Sequence, residues 1–457
     1  MRRSVWVLLL FCCSAVAFAG AQVHEFKLDN GMKVLIKEDH RAPIVTSQVW
    51  YKVGSSYEHR GITGVSHVLE HMMFKGTEKH APGEFSRIIA ANGGRENAFT
   101  GRDYTAYFQT LSKDRLEVSF EMEADRMRNL ILLPEEFAKE VEVVKEERRL
   151  RTEDKPTSLT YEQFNAVAFR SSPYRNPVIG WMNDLDNMNV EDLQAWYQRW
   201  YAPNNATLVV VGDVDAQSVY ALAKKHFGAF KPEKINGSKP SKETPQLGTV
   251  RLKVRAPARQ PYLIMGYKVP TVGSGSAAEE WEPYALEMLA AVLDGGSSAR
   301  FARNLVRGQE IAVSAGAGYS AFTRLSNVLL LDGSPAEGHS VADLEAALLV
   351  ELERVKTELV SQQELERIQA QVIAGKVYEQ DSVFYQAMQI GMLETIGLDW
   401  RLDDEYVDRL KAVTAEQVQA VAKKYLVEDH LTVAELVPLP MDMKQSSKSV
   451  VGGRRGH

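Results

Sequence analysis

GVSHVLEHMMFKG, residues 64–76, places two histidines four positions apart with a glutamate directly before the second. On an α-helix, positions i and i+4 share a face, so His67 and His71 project to one side and Glu70 borders it. Val68, Leu69, Met72, Met73 and Phe74 make the same helix strongly apolar. Three ionisable groups on a helix fit for burial are costly unless they are paired or hold a metal ion. Zinc favours imidazole nitrogen and carboxylate oxygen, and a catalytic zinc site takes three protein ligands plus a water. Two histidines leave that set one short, so a third ligand has to come from elsewhere in the chain.

The whole chain bounds what such a site could serve. Its 457 residues suffice for two or more domains with packed cores. With 45% apolar and 25% charged residues it reads as a soluble globular protein, and no basic block points to nucleic acid. Residues 1–21 read as a secretory signal peptide. Arg2 and Arg3 form its positive region, Val5 to Val16 a short apolar run, and Ala17-Phe18-Ala19 the small-residue cleavage pattern. The run is short for a membrane span, and no second long apolar segment follows. Cys12 and Cys13 leave with the leader, so no disulfide is expected, and loss of Arg2 and Arg3 moves the formal charge from −6 to −8. A mildly acidic, cysteine-free exported protein suits the periplasm of a Gram-negative bacterium.

Strand and helix signals recur in two halves. Val34 to Ile36 and Ile44 to Val53 read as strands ahead of the histidine helix. Phe85 to Ala91 reads as a helix broken by Gly93-Gly94, and Thr105 to Thr110 as a strand. Long helical patterns run from Lys113 to Asn129 and from Pro134 past Arg149. Val190 to Tyr201, then Ala206 to Val209, aligns without gaps at an offset of 225 residues with Ala415 to Leu426, then Leu431 to Ala434. Each pair is an amphipathic helix leading into a buried strand. Tyr262 to Val269 echoes Val45 to Val53, and helical Tyr284 to Leu293 takes the place of the histidine helix. A repeat this long means duplicated domains. The expected organisation is a first domain over 22–230, a Lys-, Pro-, Gly- and Ser-rich linker over 231–248, a second domain over 249–443 and a flexible tail over 444–457.

Further motifs surround the helix: Gly54-Ser-Ser-Tyr-Glu58 before it, Phe74-Lys-Gly-Thr77 after it, and Asn97-Ala-Phe-Thr100 with Asp103-Tyr-Thr105. Beyond these stand Glu123-Ala-Asp-Arg-Met127, Pro173-Tyr174 with Pro177 and Gly180, and Tyr201-Ala-Pro-Asn-Asn205. Together with the inverted HxxEH they resemble the M16 family of zinc peptidases, that of pitrilysin, insulin-degrading enzyme and the mitochondrial processing peptidase. The resemblance covers nearly the whole mature chain and is strongest from about residue 45 to 215. It implies an α+β fold of two duplicated domains, each a mostly antiparallel sheet packed with helices (a LuxS/metallopeptidase-like fold), and one Zn2+ per chain. In the family the third zinc ligand is a glutamate some 76 residues beyond the second histidine, in an E-x6-E pattern. Here Glu140 to Glu147 matches, so the resemblance implies Glu147 as ligand and Glu140 as the glutamate that supports a zinc-binding histidine. Glu142 and Glu146 are the alternatives by register. The plainer account of the run is a solvated helix face laced with Lys145, Arg148 and Arg149.

The resemblance also implies a grip on substrate. Residues 93–100 would present an edge strand on which the backbone of Asn97 and Ala98 pairs with an extended peptide. Relatives carry an Arg and a Tyr seven residues apart in the second half. Arg307 matches the first, but the second position reads Ser314, or Val313 by register, and Tyr319 is out of place. A complete peptide chamber takes four such domains, so two chains are expected to pair, as a homodimer or with a related subunit that supplies the tyrosine. The expected function is an exported zinc-dependent endopeptidase acting on unfolded polypeptides or short peptides, with Glu70 as general base. The alternatives are a non-catalytic partner subunit or a peptide-binding chaperone.

Overall fold

The computed structural model describes residues 22–235, 242–277 and 279–441. The expected signal peptide, the middle of the linker and the tail lie outside the described residues. Among those described, no helix is long and apolar enough to cross a membrane.

The first half folds around a six-stranded sheet of β1 (Val23–Lys27), β2 (Lys33–Glu38), β3 (Ile44–Tyr51), β4 (Arg95–Thr100), β5 (Thr105–Ser112) and β6 (Ala206–Gly212), in the order β1-β2-β6-β3-β5-β4. Only β2 and β6 run parallel. The centre is set by β3 and β6, rich in β-branched residues and buried along almost their whole length, as strands covered on both faces must be. The edge is β4, which carries Asn97 and Ala98 and pairs with β5 alone.

The second half repeats this plan with one strand fewer. Its strands are β7 (Val250–Pro257), β8 (Tyr262–Val269), β9 (Ala312–Gly318), β10 (Asn327–Pro335) and β11 (Leu431–Leu439), in the order β7-β11-β8-β10-β9. Here β7 and β11 form the parallel pair, so β8 stands where β3 does and β9 where β4 does. This is the α+β duplication read from the sequence. The echo of Val45 to Val53 in Tyr262 to Val269 is the correspondence of β3 with β8. The helix Glu282–Asp294 packs against β9, as the histidine helix Val65–Met72 packs against β4.

Each sheet borrows a helix from the other half. Val383–Thr395 lies across β3 and β6, and Pro156–Ala168 lies across β7, β8 and β11. Both contacts close over a glycine: a Cβ at Gly391 would stand 2.2 Å from Trp50 Nε1, and one at Gly266 would stand 2.4 Å from Phe164 Cζ. Neither borrowed helix was read from the sequence. Residues of such a helix meet the foreign sheet on one side and their own half on the other, which blurs the amphipathic period. The described end of the linker is anchored rather than free. Glu243 accepts the backbone N–H groups of Arg170, Ser171 and Ser172 at 2.7–3.0 Å and pairs with Lys268 Nζ at 2.7 Å.

Gly391→Ala tests the exchange of helices. Alanine favours the helix by about 1 kcal/mol, but the added methyl meets a Trp50 that is 1% exposed and has nowhere to move. Overpacking outweighs propensity, and a net loss of about 1–2 kcal/mol is expected in chemical denaturation.

Candidate metal centre

The histidine helix starts at Gly64, whose φ of +89° favours glycine. A Cβ there would come within 2.7 Å of the Ile179 carbonyl oxygen, and one at Gly180 (φ +84°) within 2.4 Å of that of Thr63. The two glycines thus let the loop before the helix and the loop at Ile179 touch backbone to backbone. Gly64 offers no side-chain cap, and a distant carboxylate replaces it. Glu58 accepts the N–H of Gly64 at 2.7 Å and that of Ser66 at 2.9 Å, placing an acceptor on the positive end of the helix. Val65, Val68, Leu69 and Met72 seat the helix in the core. His67, Glu70 and His71 are left on the face turned away from it.

A second helix, Pro134–Arg148, crosses the first and buries Phe137, Val141 and Val144 in the same core. Of its glutamates, Glu142 and Glu146 point to solvent, with side chains 63% and 64% exposed, and pair with Lys145 and Arg149. Glu147 turns inward. Its Oε2 lies 3.7 Å from His67 Nε2 and 3.5 Å from His71 Nε2, while Oε1 pairs with Arg151. On the far side of the His71 ring, Nδ1 meets Glu140 Oε2 at 3.2 Å, and Lys75 holds the other Glu140 oxygen at 2.6 Å. Past Arg148, the residue after Glu147, the helix widens into a π-turn, Arg149–Glu153, a distortion frequent at functional sites.

These distances favour a shared cation over direct bonding. At 3.5–3.7 Å the carboxylate and imidazoles are too far apart to hydrogen bond, yet all are largely withdrawn from water. Tetrahedral zinc with bonds of about 2.0–2.1 Å sets its ligand atoms about 3.3 Å apart. One ligand atom from each of His67, His71 and Glu147 lies within 4.8 Å of the others, a group of two nitrogens and an oxygen that fits zinc. Burial, followed by the charges of His71 and Arg151, pushes His67 down to about 3, so its imidazole is neutral, the form that binds metal. His67 Nδ1 is buried without a hydrogen-bond partner among the described residues, so nothing there competes for the ring.

Glu70 lies beside the group. Thr100 Oγ1, at the end of β4, donates to Glu70 Oε2 at 2.5 Å. Burial raises the Glu70 carboxyl above its ordinary range, while the Thr100 bond and His71 pull it back. A cavity of about 1320 Å³ opens over these residues. Asn97 and Ala98 of β4 line one side of it, and Val143, Leu150 and Tyr161 another.

Arg307 is not brought to this cavity. It donates to the Ser297 carbonyl beside the edge strand β9, on which Ser314 is exposed. The Tyr319 hydroxyl is tied to the Pro270 carbonyl at 2.6 Å. Two residues of a motif that had no assigned role in the sequence support the site. Arg126 and Glu123 form an ion pair with both side chains 0% exposed, and the guanidinium lies 4.2–5.0 Å from the rings of Phe74, Phe85 and Tyr107. The pair ties the turn after the histidine helix to β5 and explains the Glu123 to Met127 motif. Its signal lay in acid and base spaced i, i+3 within an apolar helix.

Fold and residue set together define a class: duplicated α+β domains in which one helix carries an inverted HxxEH and a second supplies a glutamate. Residues 33–181 match the family model described as insulinase (peptidase family M16), and residues 187–372 match the M16 inactive domain. The zinc protease PqqE of Helicobacter pylori is 33% identical over 345 residues, covering 75% of this chain and 76% of that protein. The uncharacterized zinc protease YmxG of Bacillus subtilis is 24% identical over 89% of this chain and 97% of its own. Among solved structures, a protease from Helicobacter pylori superposes with a TM-score of 0.86 at 29% identity, covering 92% of this chain and all of that one. The periplasmic protease PqqL of Escherichia coli shares the fold, with a TM-score of 0.76 at 18% identity over 95% of this chain and 50% of its own. The chain belongs to the M16, or insulinase, peptidase family.

Two substitutions separate the supports of the site. Glu58→Ala leaves two N–H groups at a buried helix end without an acceptor and is expected to cost about 1–3 kcal/mol in thermal or chemical denaturation. Glu140→Gln removes the carboxylate behind His71 and is expected to weaken zinc binding about 10- to 100-fold in a chelator competition, with little change in stability.

Proposed function

We propose that the protein is an exported zinc-dependent endopeptidase that hydrolyses unfolded polypeptides or short peptides. What carries this reading is the convergence of His67, His71 and Glu147, with Glu70 beside them at the floor of an open cavity. One zinc ion held by these three residues would supply an acidified water and polarise the scissile carbonyl. The chain's own residues do the rest. Glu70, tethered by Thr100, takes a proton from the water as its oxygen bonds to the carbonyl carbon. It then gives a proton to the amine nitrogen as the C–N bond breaks. Glu140 orients His71 through Nδ1.

The free edge of β4 suits an extended peptide added as a further strand, with the backbone of Asn97 and Ala98 facing it. Recognition through backbone makes the preference for side chains broad and requires an unfolded or short substrate. Every residue lining the cavity falls between His67 and Ile179. The opposite wall of a closed chamber is therefore assigned to a second chain, in a homodimer or from a related subunit, and Arg307 would act there. Export to the periplasm rests on the leader pattern of residues 1–21, and the Escherichia coli neighbour is itself described as periplasmic.

Glu70→Gln is expected to keep one zinc per chain while peptide hydrolysis falls by about four orders of magnitude or more. Metal analysis beside a chelator-sensitive peptide assay checks both. Ordinary cleavage by that variant overturns the assignment of Glu70. A wild-type chain that holds zinc without cleaving peptides points to the partner-subunit or chaperone reading.

A further inference from the structure

The turn between β4 and β5 is fastened by a buried carboxylate. Asp103 is 4% exposed and accepts from Ser56 Oγ at 2.6 Å, from the Tyr174 hydroxyl and from Arg324 Nε at 2.9 Å. Arg324 comes from the second half of the chain. Its other arm donates to Ser56 Oγ at 2.7 Å, and its guanidinium lies 4.4 Å from the ring of Tyr57. The neighbouring Leu325 N–H donates to the Tyr174 hydroxyl at 3.2 Å. Two consecutive residues of the second half thus enter one polar knot in the first.

The knot joins the segment that reaches Glu70 to the segment that caps the histidine helix. The Gly101 carbonyl accepts from Ser55 N–H at 3.2 Å and the Arg102 carbonyl from Ser56 N–H at 2.7 Å. A Cβ at Gly54 would stand 2.4 Å from the Gly101 oxygen, so the turn and the segment from Gly54 to Glu58 pack as one piece. From one end of that piece, Thr100 reaches Glu70. From the other, Glu58 caps the histidine helix.

We infer that Arg324 is a positioning residue: by clamping Asp103 and Ser56 together it holds Thr100, and through it Glu70, in register with the histidine helix. A residue within the stretch that matches a family model called inactive, residues 187–372, thereby takes part in the site without touching substrate. A buried carboxylate that loses its cation keeps a strong drive to reach water, so loss of Arg324 loosens the turn rather than leaving it in place. The halves themselves do not depend on this clamp. They are also joined by the helix Val383–Thr395 over Trp50, by Phe164 over Gly266 and by the Lys33–Glu394 pair at 2.6 Å. The bearing on Glu70 rests on the peptidase reading above; the clamp does not.

The test compares full-length wild type with Arg324→Ala and Arg324→Lys, in zinc-loaded and metal-free form. Amide hydrogen exchange over residues 100–105 and 64–68 is expected to quicken about tenfold or more in the alanine variant, with or without metal. In the loaded protein kcat is expected to fall on the order of 10- to 100-fold, with KM within about twofold and zinc content unchanged. The lysine variant, with one donor centre in place of a fork, should fall between the two on both scales. Unchanged exchange, or quicker exchange with unchanged kcat, overturns the proposal. So does a joint collapse of kcat, KM and melting temperature, which marks Arg324 as mortar between the halves. A wild type that cleaves nothing overturns the peptidase reading alone, and the exchange measurement on the metal-free chain then decides the clamp by itself.

Discussion

One carboxylate oxygen facing two imidazole nitrogens is the constraint on which the rest of the first half turns. Glu147 Oε2 stands 3.5–3.7 Å from His67 and His71, too far to bond to them and too near to be independent. Such a spacing persists only if both helices are held from outside the group. Glu58 grips the start of the histidine helix, the contact of Gly64 with Gly180 fixes its entry, and Val141 and Val144 seat the glutamate helix in the same core. Glu140 and Arg151 then restrain the two groups that could still rotate, the His71 ring and the Glu147 carboxylate.

Beneath this layer lies a second one made of buried charge. The pair of Arg126 and Glu123 has no access to water, and an ion pair in such a place adds little net stability because desolvation offsets attraction. Its consequence is geometric. The guanidinium is surrounded by Phe74, Phe85 and Tyr107, so the turn after the histidine helix and strand β5 share one spacer of fixed shape. Asp103 does similar work between the halves. Exchange of helices across the two sheets makes the chain one body, and this lets a residue in the second half bear on the first.

How much of this was legible follows from range. The histidine helix could be read because its apolar and polar residues repeat at the helical period, a local property. The duplication could be read because a helix and strand recur at a constant offset, and the two sheets share strand order accordingly. Glu140 and Glu147 were legible only through a spacing learned from relatives, since the sequence left Glu142 and Glu146 open until the crossing of two helices turned one glutamate inward. Strand β9, with its run of small residues, carries little local preference for a strand and takes its form from pairing with β10. Arg307 fits the spacing of relatives, but its surroundings within one chain are its own loop.

By itself the sequence determined which side chains are offered: which helix bears the imidazoles and the glutamate between them, and that the fold is built twice. Periodicity, ligand type and repetition are written along the chain and need no long-range contact. Only the tertiary structure decided which glutamate meets the histidines, that Thr100 holds Glu70, and that Asp103 binds an arginine 221 positions away. These are approaches between distant segments. They depend on how two sheets and their exchanged helices pack, which no local preference encodes.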